Sequence, residues 1–329
     1  MIVRDNEDLA PYTTFGVQAT CALLITVETI DELQQALQKY PEARILGGGS
    51  NVLVTADIDG PVIRVSINGI ETLSPGVVRV GAGEGWHDFV TWCVNEDLGG
   101  LENLALIPGT VGAAPMQNIG AYGIEQDRCF VELTAVERST GRLQTFDLVA
   151  CRFGYRTSVF KEELRDKYVI ASVTYRLMPP PHTVHTTYKD VKERLTDKEA
   201  PTIRDVYDAV VAIRSAKLPD PNEIGNAGSF FKNPVVSSEQ LSRLLQSNAD
   251  MPHYMQDDGS AKLPAAWLID QCGWKGYERG DIGVHDRQAL VLVNRGNGVG
   301  SDILALSDEI RGSVKKKFGV ELVREVNVW

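Results

Sequence analysis

Apolar positions along the chain change period several times, and each change marks an element. Ile30, Leu33, Leu37 and Tyr40 recur at helical spacing after Thr29-Ile30-Asp31-Glu32, a capping-box pattern, and predict one amphipathic helix. Short apolar runs at Ala43-Arg44-Ile45-Leu46, Val52-Leu53-Val54, Val62-Ile63-Arg64-Val65 and Val77-Val78-Arg79-Val80 predict strands, and residues 86–95 a second helix. Between residues 131 and 148 two alternating runs flank Ser139-Thr140-Gly141-Arg142, a hairpin signal, and residues 169–177 predict a further strand. Antiparallel pairs of this kind make the fold class α+β rather than doubly wound.

Pro179-Pro180-Pro181 interrupts that sheet, and a charged stretch over residues 188–199 precedes a helix with Val206, Ala209, Val210 and Ile213 on one face. Pro219-Asp220-Pro221-Asn222 ends the helix and marks a domain boundary. Beyond it helices are predicted near residues 238–246, 264–271 and 301–318, the last closed by Gly319, and residues 320–329 alternate like a final strand.

Composition narrows the function classes. The chain has 329 residues, 43% hydrophobic and 23% charged, which suits two or three domains. A net charge of −11 argues against a general nucleic-acid binder, because phosphate contacts need a surplus of Lys and Arg. No run approaches the roughly 18 apolar residues of a membrane span, and the start lacks a signal-peptide pattern, so a cytoplasmic protein without membrane contact is expected. The cysteines, Cys21, Cys93, Cys129, Cys151 and Cys272, are odd in number and form no C-x-x-C knuckle. His182 and His185 have no carboxylate ligands near them in sequence, so no metal site is expected.

The chemistry concentrates in glycine. Gly47-Gly48-Gly49-Ser50-Asn51 follows a predicted strand and offers backbone N–H groups without Cβ obstruction, which suits the close approach of phosphate oxygens. It lacks the Gly-Lys-Ser/Thr of a Walker A loop and the third, helix-opening glycine of a dinucleotide fingerprint. Gly81-Ala82-Gly83-Glu84-Gly85 spaces its last glycine one residue short of that fingerprint and reads as a tight strand-to-helix turn. A third small-residue run, residues 107–123, is too poor in large side chains to fill a core and too apolar for a solvated linker. A flat ring pressed on bare backbone explains both properties.

Five motifs in order, L-G-G-G-S-N-V-L, I-P-G-T-V-G-A-A-P-M-Q-N-I-G-A-Y-G, Y-R-T-S-V-F-K, G-N-A-G-S-F-F-K-N-P and the terminal R-E-V, resemble the UDP-N-acetylenolpyruvoylglucosamine reductase family over nearly the whole chain. The resemblance implies a two-part FAD-binding domain of the vanillyl-alcohol-oxidase (PCMH) type, residues 1–66 and 67–218, the latter joined by a final strand at 319–329. A C-terminal α+β substrate-binding domain follows at 219–318. It also implies NADPH-dependent reduction of an enolpyruvyl ether in peptidoglycan precursor synthesis, in two half-reactions through the flavin N5, by a monomer acting on small molecules. The stretch around Tyr188 resembles the longer form of the family, whose tyrosine loop folds over the substrate.

Reducing that double bond by hydride requires a proton donor and groups that stabilise an enolate. The resemblance places Ser229 as donor, with Arg156 and Glu325 flanking the enolate; Lys232 and Arg156 are cations that would make the serine a better acid. The flavin falls to Gly47, Gly48, Gly49, Ser50, Asn51, Ile107, Pro108, Gly109, Gly112, Ala113, Asn118, Gly120, Ala121, Gly123 and Arg214. The sugar nucleotide falls to Tyr188, Lys217, Asn233, Tyr254, Lys262 and Gln288. Plain alternatives stay open: a turn serine, a surface ion pair for Arg156, a solvated Glu325, and helix-dipole compensation for Arg214. Rival functions are another flavin oxidase on the same scaffold and a flavin- or nucleotide-binding protein without turnover.

Overall fold

The computed structural model describes residues 1–329, and the chain divides into two compact units. The first comprises Met1–Glu7, Cys21–Gly48 and Ile58–Ala216; the second comprises Asp8–Thr20, Gly49–Asp57 and Lys217–Trp329.

In the first unit a four-stranded sheet runs in the order Ile2–Asp8, Thr20–Val27, Ile58–Val65, Arg44–Leu46. Its last two pairings are parallel, with Val27 opposite Val65 and Leu46 opposite Arg64, so antiparallel pairing does not extend through the whole fold. A parallel step needs a crossover, and the helix Ile30–Lys39 supplies one. Thr29 caps it by accepting the Glu32 amide at 3.1 Å, and Leu33, Ala36 and Leu37 are buried on its inner face. The strand Arg44–Leu46 then delivers the chain into Gly47 and Gly48.

A second, five-stranded sheet is antiparallel along the ladders Leu143–Asp147, Phe130–Glu137, Tyr168–Arg176, Val77–Gly81 and Ile70–Ser74. Trp86 and Phe89 of the helix Trp86–Asn95 pack on Tyr175, ring centroids 6.0 and 5.4 Å apart, and the Trp86 indole donates to the Leu104 carbonyl at 2.9 Å. The glycines at 81 and 83 let two backbones cross. A Cβ on Gly81 would lie 2.3 Å from the Ile67 carbonyl oxygen, and one on Gly83 2.5 Å from the Ser66 carbonyl carbon.

The second unit is built on the antiparallel sheet Gly225–Ser229, Val291–Asn294, Ile282–Val284, Glu278–Arg279, with a smaller sheet of Val235–Val236, Ala261–Lys262 and Tyr254–Met255. The helices Ser238–Ser247, Ala265–Gln271 and Gly300–Phe318 accompany them, the last ending on Gly319 at φ 64°. Phe230 and Phe231 are fully buried among Leu268, Ile269, Leu306 and Ile310, each ring contributing about 1.5–3 kcal/mol of hydrophobic stabilisation.

One sequence expectation is corrected here. Residues 320–329 do alternate, with Val320, Leu322 and Val326 buried, yet regular pairing is confined to Asn327–Val328 against Val52–Leu53. Upstream the segment is tied by single bridges, such as Phe231 opposite Arg324, which anchor it without building a ladder. Its partners, Val52–Leu53 and Phe230 to Lys232, are residues of the second unit.

Candidate active site

In the second unit, Ser229 ends the strand Gly225–Ser229 and is exposed. A register shift between Asn226 and Ser229 interrupts the ladder to Val291–Asn294, and Gly228 takes φ +66°. Asn226 holds this bulge by accepting the Gly228 amide at 2.9 Å on its side-chain oxygen. Gly225 carries no side chain because a Cβ would come within 2.3 Å of the Phe15 carbonyl oxygen.

Glu325 lies across from this strand end. Its amide donates to the Phe230 carbonyl at 2.9 Å, and the Lys232 amide donates to Val323 at 2.9 Å. Asn51 reinforces the segment, donating its side-chain amide to the Glu325 carbonyl at 3.2 Å and accepting the Asn327 amide at 3.0 Å on its own carbonyl. Alternation puts residues 321, 323 and 325 on one face; Glu321 and Val323 are exposed and Glu325 is half-buried. Backbone hydrogen bonds thus tie the segment that carries Glu325 to the residues that follow Ser229. Gln288 is half-buried in the turn before Val291, whose partner is Ser229, and its side-chain oxygen accepts the Leu290 amide at 3.5 Å.

Tyr254 and Lys262 are direct cross-strand partners and share a face, as opposed residues in an antiparallel pair do. Tyr254 is 60% exposed, which leaves its ring open to a ligand. Asn233 is half-buried and accepts the Ala265 amide at 2.9 Å, so part of its side chain serves the start of the helix Ala265–Gln271. Lys217 is exposed at the end of the helix Ile203–Lys217.

The first unit carries the glycine surfaces. A Cβ on Gly47 would lie 2.9 Å from Thr110 Oγ1 and one on Gly48 3.0 Å from Gly109 Cα, so two bare backbone stretches are pressed together. Gly48, Pro108, Ala113 and Gly123 are exposed; Ile107, Gly109, Gly112 and Ala121 are half-buried. Gly112 owes its identity to packing, since a Cβ there would meet the Ala82 Cβ at 2.5 Å. In the second unit, Gly49 is buried at φ +61° with a Cβ position 1.9 Å from the Tyr12 carbonyl oxygen, and Ser50 beside it is half-buried.

Arg156, at φ +54°, donates to the carbonyls of Gly120 at 2.5 Å and Asn118 at 3.4 Å. Those carbonyls are held by Asn118, fully buried at φ +43°, whose side chain donates to the carboxylates of Glu125 and Asp127 at 3.1 and 3.2 Å. Its side-chain oxygen accepts from the Asp127 amide and the Gln126 side chain at 3.3 Å. The Asn118 side chain is committed to its own loop. Gly120 is buried too, tight against Glu125 and Ile124.

Arg214 donates to the Leu106 carbonyl at 3.1 Å. Burial pulls its pKa down, Tyr122 counters as a hydrogen-bond partner, and the like charge of Arg156 adds to the fall. Arg214 is thus a largely desolvated cation held against the backbone just before the small-residue run. Tyr188 packs edge-on against Tyr122, ring centroids 5.2 Å apart, at the start of the short helix Lys189–Arg194. Sequence reasoning did not single out Tyr122 or His87 for this cluster. Tyr122 was signalled as the one large ring in a small-residue run; His87 carried no signal.

The fit to FAD rests on the bare backbone of Gly47 and Gly48, packed against Gly109 and Thr110, and on the buried Arg214 beside that small-residue run. No group of three or more His, Cys, Asp or Glu side chains is placed to hold a metal ion, and no helix is long and apolar enough to cross a membrane.

Comparison with known proteins defines the class. Residues 21–147 match the family profile of an FAD binding domain, and residues 220–329 match that of the C-terminal domain of UDP-N-acetylenolpyruvoylglucosamine reductase. Fold and site together define an FAD-dependent oxidoreductase with a separate C-terminal domain. The reductase of that name from Paraburkholderia phymatum is 49% identical, covering 96% of this chain and 95% of its own length. The Flavobacterium johnsoniae reductase is 44% identical over all of both chains. The crystal structure of the Thermus caldophilus reductase is 26% identical with a TM-score of 0.71 and full coverage of both chains. The chain belongs to the UDP-N-acetylenolpyruvoylglucosamine reductase family.

Proposed function

We propose that this chain reduces the enolpyruvyl ether of UDP-N-acetylglucosamine enolpyruvate to UDP-N-acetylmuramate, with FAD as its cofactor and NADPH as the reductant, for peptidoglycan precursor synthesis. The observation that carries the reading is the backbone hydrogen bond from Glu325 to Phe230, which ties the segment of Glu325 to the end of the strand that carries Ser229, within a family of this activity. When bound, FAD supplies the hydride relay between NADPH and the enolpyruvyl double bond.

The chain's own residues do the rest. Hydride addition at the methylene carbon leaves negative charge on the carbon that bears the carboxylate. The Ser229 hydroxyl donates its proton to that carbon and recovers one from solvent, to which it is exposed. Glu325 orients the enol, and Arg156 opposes the growing negative charge from a guanidinium fixed by two carbonyls.

Gly47, Gly48, Gly49, Ser50 and Asn51 take the FAD pyrophosphate, and Ile107, Pro108, Gly109, Gly112, Ala113, Asn118, Gly120, Ala121 and Gly123, with Arg214, take the remainder of the cofactor. Lys217 and Lys262 neutralise the UDP diphosphate, with Tyr254, Asn233, Gln288 and Tyr188 as further contacts. The enzyme works as a monomer in the cytosol. The test is spectroscopic: purified protein should show flavin bands near ~370 and ~450 nm, bleached by NADPH and restored by the enolpyruvyl substrate. Restoration by air as fast as by substrate would favour an oxidase instead.

A further inference from the structure

Leu106 stands directly before Ile107-Pro108-Gly109 and takes φ +56°, a left-handed conformation that a leucine rarely adopts. Something must hold it there. Its amide donates to His87 Nδ1 at 3.0 Å, and its carbonyl accepts from Arg214 Nε at 3.1 Å. The two clamps come from different helices, Trp86–Asn95 and Ile203–Lys217. Farther along, the same loop is pinned again: the Trp86 amide donates to Gly109 at 2.9 Å, and the Val111 amide to Glu84 at 2.9 Å. Residues 107 and 108 are therefore suspended between two fixed ends, with Gly109 against the Gly48 cradle.

His87 is itself fixed. Its ring stacks on Tyr207 at 5.8 Å and 9°, the Tyr207 and Thr91 hydroxyls are 2.8 Å apart, and Thr91 donates to the His87 carbonyl at 2.8 Å. An Nδ1 that accepts leaves the ring proton on Nε2, so the latch requires the neutral imidazole. The charged groups around it are Asp88 and Arg214, with Arg204 over the Tyr207 ring at 5.3 Å. Burial and Arg214 favour the neutral form and Asp88 opposes them, with the net effect below the ordinary 6.5.

We infer that His87 is a positioning residue for the flavin: its neutral imidazole latches Leu106 in the left-handed conformation and so sets residues 107–109 against Gly47 and Gly48. This rests on the assignment of those residues to FAD. Protonation would turn the acceptor into a donor facing the Leu106 N–H, and the loop would be released.

The test measures FAD affinity of flavin-stripped protein by fluorescence, at about pH 7.5 and about pH 5.5, for wild type, His87→Ala, His87→Asn and His87→Ala with Leu106→Gly. An asparagine side-chain oxygen can stand near the Nδ1 position and does not titrate. At about pH 7.5 His87→Ala should bind FAD about tenfold more weakly, His87→Asn should bind like wild type, and Leu106→Gly should recover the alanine variant by removing the strain. Between about pH 7.5 and about pH 5.5 wild type should weaken more than His87→Asn, by less than about tenfold because the folded His87 titrates below the ordinary 6.5. Amide exchange at Leu106 should accelerate in His87→Ala without FAD present. Wild-type affinity in His87→Ala, or equal acid weakening in wild type and His87→Asn, would overturn the inference. Gly48→Ala separates the two levels: if it binds FAD as wild type does, the cradle assignment fails, and if it loses FAD while His87→Ala keeps it, only the latch fails.

Discussion

The amide of Glu325 donates to the carbonyl of Phe230 at 2.9 Å, which fixes the spacing between the terminal segment and the strand that ends in Ser229. A backbone hydrogen bond, not a side-chain contact, therefore links the segments that carry Ser229 and Glu325, the two residues proposed to act on the substrate. Glu325→Gln preserves that bond and removes only the charge. It should leave FAD binding and thermal stability unchanged, the latter within about 0.5 kcal/mol, while substrate turnover falls by about 10²-fold or more. Steady-state rates beside a melting curve check this.

Gly48 and Gly49 are adjacent and should fail differently. Gly49→Ala drives a Cβ to 1.9 Å from the Tyr12 carbonyl oxygen at a backbone φ of +61°, so it should destabilise the flavin-free protein by about 3 kcal/mol or more. Gly48→Ala places its Cβ on an exposed backbone 3.0 Å from Gly109 Cα. It should cost about 1 kcal/mol of stability and weaken FAD by about tenfold. Calorimetry of stripped protein and a flavin titration distinguish the two.

Asn118 braces the backbone on which Arg156 rests. Asn118→Ala removes the side-chain bonds to Glu125, Gln126 and Asp127 and leaves a left-handed alanine under the carbonyls that hold the guanidinium. Stability should drop by about 2–4 kcal/mol. Asn118→Asp should fare worse, since it sets a third carboxylate against Glu125 and Asp127. Denaturant titration of both variants checks the order.

Three histidines share one sign. Burial lowers the pKa of His87, His185 and His285 from the ordinary 6.5 in the folded chain. The unfolded chain therefore binds more protons in the window just below 6.5. Their contribution to stability is fully present above 6.5 and is lost as pH falls through the folded values. Asp205, lowered to about 2 from 3.8 by its bonds to Thr202, titrates far below that window and does not contribute there. The melting temperature should fall between about pH 7.5 and about pH 5.5, with proton uptake on unfolding; an unchanged value would contradict it.

The elements with strong local signals were legible in the sequence. Residues 86–95 and the cap at Thr29 appear where the pattern puts them, because capping and the 3.6-residue period are local physics. The strands Ile2–Asp8 and Ile70–Ser74 gave no signal, being exposed along nearly all of their length. The short helix Lys189–Arg194 was masked by the charge of its stretch. The terminal segment misled because alternate burial was real but its partners, Phe230, Lys232 and Val52, come from two separate places in the chain. The motif resemblance nominated Ser229 and Glu325, whereas the left-handed Leu106 and its clamps, 19 and 108 residues away, leave no trace in a linear pattern.

The most direct measurement is anaerobic stopped-flow of Ser229→Ala, followed at about 450 nm through both half-reactions. The variant should retain FAD and be reduced by NADPH at the wild-type rate, then be reoxidised by the enolpyruvyl substrate at least about 10²-fold more slowly. Reoxidation at the wild-type rate would remove Ser229 from proton delivery and contradict the assignment of the site.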